Sequence, residues 1–332
     1  MRDVAARAQV SFKTVSRVVN DEAGVSPALA RRVRRAIDEL DFQPNAGARN
    51  LRRSDRRTSS VGLLLENVAN PFSAALQRAV EDIATPRGVI VFSGSVEEDP
   101  ERERTLVREF SARRADGLLL VPASADQSYL AGELRAGTAV VCVDREASGL
   151  AVDSVVTTNE LGAAEGVRHL AARGHRRIAF LGDRRTITTE QQRYQGYCDA
   201  LGAAGLPLDP ALVVPDMRSS ALAEGAVVRL LSQPDPPTAL FTAQNLITIG
   251  AVRALRRIGS ERQVAVVGFD DFPLADLLSP GVTVVAQDPT AIGRLAATLL
   301  FDRIAGRAGP PTTHVLPTTL IHRGSGEIPA PA

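Results

Sequence analysis

The 332-residue sequence has no tryptophan, two cysteines, two methionines and a single lysine, and aromatic residues make up only 4% of it. Two cysteines are too few for a disulfide framework. Cys142 sits in the apolar run AVVCVD and Cys198 in a helix-like stretch, so both read as buried free thiols, which fits a reducing cytoplasm. No run of 18 apolar residues is present, so no helical membrane span and no membrane partner are expected. The opening MRDVAARAQVSFKTV lacks an apolar core of signal-peptide length, so export is not expected either. The four histidines, His169, His175, His314 and His322, show no metal-ligand spacing. There is no G-x-S-x-G elbow, no G-x-x-x-x-G-K-[ST] phosphate loop and no G-x-G-x-x-G after a strand. Nothing in the chain argues for catalysis, a metal or a cofactor.

What is present is unevenly distributed. The formal net charge of +1 hides a basic front: residues 1–60 hold thirteen Lys or Arg against seven Asp or Glu, and the remainder holds 26 against 31. A basic N-terminal segment on a mildly acidic body is the charge layout of a nucleic-acid-binding head.

The first 45 residues read as three short helices. In the first, Val4, Ala5 and Ala8 share a face; Ser11 can cap the second, and Ser26 with Pro27 opens the third. In the second, VSFKTVSRVVN, Val15, Val18 and Val19 form a core-facing stripe. The opposite face, Phe12, Lys13, Ser16, Arg17 and Asn20 with Thr14 beside it, contains no acid at all. In the third, Leu29, Val33, Ile37 and Leu40 form the expected buried stripe. Two helices about three residues apart, closed by a third, make the helix-turn-helix layout, whose second helix enters the major groove of DNA. Lys13 and Arg17 suit guanine O6 and N7, and Phe12 suits thymine methyls. Thr14, Ser16 and Asn20 are short enough to hold phosphates. Residues 46–60 read as a short helix, Ala46 to about Leu51, followed by an Arg- and Ser-rich linker.

From residue 61 onward the rhythm is strand, helix, strand, helix. SVGLLLE, GVIVFSG, DGLLLVPA, TAVVCVD, RRIAFLGD, TALFTA and QVAVVGFDD are short apolar runs, as expected of parallel strands buried on both faces. Asp99 caps and Pro100 opens one of the intervening helices. The pattern predicts a doubly wound α/β body with ligands at the carboxyl ends of its strands. Its roughly 260 residues suggest two subdomains with a cleft between them.

DVAARAQVSFKTVSRVVN…VSPALARRVRRAIDELDFQPNAGARNLR resembles the DNA-binding head of the lactose-repressor family of bacterial transcription regulators. The likeness continues in order through VANPF, EEDPERE, DGLLLVP, VDRE, LAARGHRRIAFLG, QQRYQGYCDAL, GAVRALRRIG and VAVVGFDDFPLADLLSP, and so spans nearly the whole chain. The resemblance implies an all-α helix-turn-helix head (1–45), a hinge helix and linker (46–60), and an α/β body (61–332). The body would have the periplasmic-binding-protein-like (type I) fold of two doubly wound parallel-sheet subdomains. Their expected limits are about 61–157 with 287–317, and 158–286 with 318–327. It also implies a homodimer on a near-palindromic double-stranded operator, with Asn45, Ala48 and Leu51 of the hinge as further DNA contacts and Leu51 as the minor-groove wedge. In the body it implies a small-molecule effector, a sugar or sugar derivative, bound by Asn70, Phe72, Ser124, Asp144, Arg193, Asn245 and Asp270.

Four departures from the family pattern matter. The chain reaches Asp3 almost directly after Met1, leaving no hydroxyl to cap the first helix. Gln9 stands where the turn usually has glycine, and Gly47 should weaken the hinge helix by about 1 kcal/mol relative to alanine. Asn245 in AQN replaces a carboxylate that often binds sugar hydroxyls, which would ease binding of a phosphorylated or anionic ligand. The closing SGEIPAPA carries no heptads, so a dimer is expected and not a tetramer. Two rivals are an exported solute-binding protein, which has no use for the basic head, and a sugar- or nucleotide-processing enzyme, whose motifs are missing.

Overall fold

Three short helices account for the described part of the head: α1 (Arg2–Arg7), α2 (Phe12–Val19) and α3 (Pro27–Glu39). In this computed structural model residues 1–20, 22–42 and 58–331 are described, and the chain falls into two units, Met1–Thr58 and Ser59–Ala332. Ser11 caps α2 by accepting from the Thr14 amide at 3.1 Å, and Ser26 caps α3 by accepting from Leu29 at 3.4 Å. No side chain caps α1. Val4, Ala5, Ala8, Val15, Val18, Val33 and Ala36 close the small core. Leu40, expected in that core, is the C-cap residue and is 42% exposed; the helix ends before its stripe reaches it, and Ala36 takes the buried place beside Val33. Gln9 adopts φ +48°, the left-handed turn conformation in which glycine is unstrained.

The second unit has twelve described strands: β1 (Ser60–Leu65), β2 (Ile90–Ser95), β3 (Gly117–Leu120), β4 (Ala139–Val143), β5 (Asp153–Thr157), β6 (Ile178–Leu181), β7 (Val213–Val214), β8 (Ala239–Thr242), β9 (Ala265–Phe269), β10 (Thr283–Ala286), β11 (Thr313–Leu316) and β12 (Thr319–Ile321). They form two six-stranded sheets, ordered β11-β5-β4-β3-β1-β2 and β12-β10-β9-β8-β6-β7. All pairings are parallel except β10 with β12.

Each sheet is covered on both faces. Against the first, the helices Pro71–Ala84 and Pro289–Ile304 bury Leu76, Val80, Ile292, Ala296 and Leu300, and the helix Pro100–Ala112 buries Val107 and Phe110 on the other side. Against the second, Asn159–Ala172 and Thr188–Ala203 pack on one face, and Ser220–Leu231 and Asn245–Ile258 on the other. The chain passes between the sheets three times: after β5, between β10 and the helix Pro289–Ile304, and between β11 and β12. GVIVFSG, expected to be buried on both faces, lies at a sheet edge as β2, with Ile90 62% and Phe92 40% exposed.

Candidate nucleic-acid interface and ligand cleft

α2 is held by Val15 and Val18, both buried in the head core, and this orientation turns the other face outward. Phe12 is 46% exposed, an apolar ring with no place in the core. Lys13 is exposed, and Thr14, Ser16, Arg17 and Asn20 are half-buried along the same side. Among the described residues neither Lys13 nor Arg17 has an ion-pair partner, whereas the head's other surface carries an Arg7–Glu39 bridge at 2.6 Å. Thr14 shares a 2.9 Å hydrogen bond with the Ser11 hydroxyl, and Asn20 Nδ2 donates to Ser16 and to Glu22, both at 3.4 Å. The six predicted residues thus lie on one short helix as cations, hydroxyls, an amide and one ring. The remaining predicted contacts, Asn45, Ala48 and Leu51, lie outside the described residues, as do Gly47 and most of the linker.

In the body the predicted residues gather where the carboxyl ends of both sheets meet. Asn70 caps the helix Pro71–Ala84 by accepting from the Phe72 amide at 3.0 Å. The same Oδ1 accepts from Asn245 Nδ2 at 2.8 Å, which ties the two halves together directly. The Oδ1 of Asn245 is buried and has no partner among the described residues. A buried acceptor left empty costs about 1–3 kcal/mol, so the position favours a ligand that donates to it.

Arg193 is buried and reaches three groups. Its Nε donates to Asn159 Oδ1 at 2.9 Å, and its Nη1 to the Ala243 carbonyl at 2.7 Å and to Asp270 Oδ2 at 3.4 Å. The guanidinium lies 3.9 Å from the Phe269 ring centroid. Close helix packing allows this reach: a Cβ at Gly196, one turn on, would fall 2.1 Å from the Glu160 carbonyl oxygen. Gln287 Nε2 donates to Asp270 Oδ1 at 2.6 Å, and Gln287 Oε1 accepts from Thr157 Oγ1 at 2.7 Å, so the network runs from the second sheet to the end of β5 in the first.

Asp144 and Asp270 occupy matching places. Each follows the third strand of its sheet, each amide donates to the neighbouring strand (to Val155 and Val285), and each has φ +67°. Left-handed backbone at a residue with a Cβ costs about 1–2 kcal/mol, and such strain gathers at binding sites. Burial raises the Asp144 carboxyl above its usual range, against the pull of Arg145 and Arg193.

Two cavities open here. Phe72, Asp270, Gln287 and Phe272 line one of about 320 Å3. Ser124 lines the other, of about 600 Å3, with Glu98, Arg145, Arg184 and Gln191. Buried Glu103 pins the Ser124 loop by accepting from the amides of Ala123 and Ser124 and from the Tyr129 hydroxyl. Ser124 therefore stands apart from the cluster formed by the other six residues.

Sequence reasoning missed much of the charge. Arg145 grips Glu98 through two hydrogen bonds of 2.5 and 2.7 Å, and Arg184 Nη1 crosses to the Glu98 carbonyl at 3.1 Å. Glu66 and Glu190 are pushed up to about 7, burial being the main cause in both, and burial also raises Asp183. Six acids (Glu66, Glu98, Asp144, Asp183, Glu190, Asp270) thus share the cleft with three arginines (Arg145, Arg184, Arg193). Acids thus outnumber arginines in the cleft, and burial favours the neutral form of four of them, Glu66, Asp144, Asp183 and Glu190. Glu66, Arg145 and Asp183 each lie within two residues of the end of a recognised strand, so the strand-end rule could have found them. Thr157 ends β5, and Asn159 and Gln287 follow β5 and β10, two strands that do not stand out in the sequence.

A helix-turn-helix head joined to a two-sheet body with a polar cleft defines a ligand-responsive DNA-binding regulator. Residues 1–45 match the profile described as "Bacterial regulatory proteins, lacI family", and residues 167–326 the one described as "Periplasmic binding protein-like domain". The ribose operon repressor of Haemophilus influenzae is 31% identical over 331 residues, 98% of each chain. Among solved structures, the lac repressor dimer bound to operator and the anti-inducer ONPF matches with a TM-score of 0.81 at 26% identity, over 98% of both chains. The CelR–cellobiose complex matches with a TM-score of 0.71 at 34% identity, over 97% of this chain and 98% of that one. The chain belongs to the lacI family of bacterial regulatory proteins.

Proposed function

We infer that the protein is a sequence-specific transcriptional regulator, a repressor, whose operator affinity is set by a small molecule held in the cleft of its body. The observation that carries this reading is the acid-free outer face of α2, held outward by Val15 and Val18. Lys13 and Arg17 read guanines, Phe12 packs on thymine methyls, and Thr14, Ser16 and Asn20 hold phosphates. The chain acts as a homodimer on a near-palindromic double-stranded operator, with Asn45, Ala48 and Leu51 adding contacts from the hinge. It works in the cytoplasm, on the nucleoid, and as a regulator it catalyses no reaction.

The effector is rich in hydrogen-bond donors: a sugar or sugar derivative carrying no phosphate. Asp144, Asp270 and the empty Asn245 Oδ1 accept from its hydroxyls, Asn70 and Arg193 orient it, Phe72 covers an apolar face, and Ser124 sits at the rim. The similarity to a cellobiose complex supports this choice. Closure of the cleft on the ligand changes DNA affinity through the hinge; a coupling of about 1–3 kcal/mol suffices for a 5–150-fold change. Footprinting on the gene's own upstream region tests the head. Arg17→Ala should relax base preference and cost about 1–3 kcal/mol per half-site, and an unchanged footprint removes Arg17 from the reading set. A thermal-shift screen tests the effector: neutral sugars should stabilise the protein and sugar phosphates should not, and the reverse result overturns the assignment.

A further inference from the structure

Away from the cleft, two of the histidines that show no metal spacing in the sequence come together with one carboxylate. His169 lies on the helix Asn159–Ala172, and His322 and Glu327 follow β12. His169 Nε2 is 3.1 Å and His322 Nδ1 is 3.0 Å from the same oxygen, Glu327 Oε1, and the three atoms lie within 4.8 Å of one another. The imidazole centroids are 4.7 Å apart with the rings tilted by 54°. The Gly326 carbonyl oxygen lies 3.0 Å from His169 Nε2 and closes the same side.

The carboxylate is also oriented from behind. Glu327 Oε2 accepts from the Gly324 amide at 2.6 Å and from Thr283 Oγ1 at 2.9 Å, which leaves Oε1 to face the two rings. Partners of this kind fix the direction of a ligating carboxylate. Zinc binds imidazole nitrogen and carboxylate oxygen at about 2.0–2.2 Å, so donors around a tetrahedral ion stand roughly 3.3–3.5 Å apart. Two separations here are already a few tenths of an ångström inside that spacing, and the third, within 4.8 Å, shortens when a ring turns toward the ion. His322 can rotate, since its side chain is 56% exposed. The adjacent cation, Arg173, has Nη2 4.0 Å from Oε1 and Nη1 donating to the Glu327 carbonyl at 3.1 Å; its side chain is 38% exposed and free to turn outward.

We propose that His169, His322 and Glu327 bind a divalent transition-metal ion of the zinc class, with the fourth position left to water or to the Gly326 carbonyl. Two imidazoles and one carboxylate select zinc, nickel or cobalt over magnesium and calcium, which require oxygen ligands. The ion replaces the protons by which both rings would otherwise donate to Glu327. It has a structural consequence as well. The helix bearing His169 begins just after the first passage between the sheets, and the segment bearing the other two ligands follows the third, so the ion fastens together two chain segments that leave the crossovers.

The full-length protein, stripped with a chelator and titrated with Zn2+ against a chromogenic competitor, tests the site without reference to DNA or effector. One ion per chain and a zinc-dependent rise in Tm are expected, with no rise from Mg2+. His322→Ala, at an exposed position, should keep the metal-free Tm and lose more than about tenfold in zinc affinity together with the rise in Tm; His169→Gln should do the same. No zinc uptake, an equal Tm rise with Mg2+, or uptake undiminished in both variants overturns the proposal.

Discussion

The two halves of the body share one strand order and differ in how they treat their matching aspartates. Asp270 is engaged: Gln287 donates to one oxygen at 2.6 Å and Arg193 approaches the other at 3.4 Å, backed by Asn159, the Ala243 carbonyl and the Phe269 ring. Asp144 has the same backbone strain, but among the described residues its carboxylate meets only Arg145 Nε, at 3.6 Å, and that arginine is committed to Glu98. The cores differ in the same direction. The second sheet buries Phe180, Tyr197, Phe241 and Phe269, whereas the first is packed mainly with Leu and Val. One strand order thus yields one half whose strand-end acid is already engaged by the framework before a ligand arrives and one whose strand-end acid is engaged far less.

The largest effect expected from breaking that contrast comes from Arg193→Ala. It removes the charge partner of buried Asp270, and urea denaturation should show a loss of about 3–5 kcal/mol. Next comes the matched pair. Asp270→Ala should cost about 1–3 kcal/mol of stability, while Asp144→Ala should leave stability unchanged or raise it, because burial already disfavours that charge. Effector titration should reverse the ranking of interest: losing Asp144 removes a charged hydrogen bond worth about 1.5–3 kcal/mol to the ligand. Equal stability losses in the two variants would erase the contrast.

A pH series sharpens it through Glu66 in the first half and Glu190 in the second, both raised from 4.5 to about 7. The folded protein keeps these protons to higher pH than the unfolded chain does. The stability they contribute is therefore complete below about 4.5 and is lost as pH rises through about 7, on the order of 1–3 kcal/mol for each group. Denaturation midpoints of Glu66→Gln and Glu190→Gln should each show a flatter slope across that window. The smallest effect is expected from Asn245→Ala, which removes one of the direct bonds between the halves but leaves Asn70 accepting from Phe72. About 1 kcal/mol should be lost, measured by the same denaturation.

How much of this was legible in the sequence followed from how local each signal is. β1, β3, β4, β6, β8 and β9 are buried apolar runs between amphipathic helices, and all were recognised, along with the edge strand β2. β5 and β10 carry only DSVVT and TVVA among polar neighbours, too short to stand out, and with them went Thr157, Asn159 and Gln287. Edge position cannot be read from composition, which is why Ile90 and Phe92 looked buried. Asp144, Arg193, Asn245 and Asp270 each have a place in a local motif, whereas the meeting of His169 with His322 and Glu327 spans more than half the body and has no local trace.

The most direct test of the central claim is the salt dependence of affinity for a duplex from the gene's own upstream region, measured by fluorescence anisotropy with the full-length protein. A protein neutralising six to ten phosphates should lose roughly 10³–10⁵ in affinity between about 50 and 200 mM salt, with a linear log–log slope. Affinity that stays flat with salt, or no binding at all, would contradict the reading of the outward face of α2.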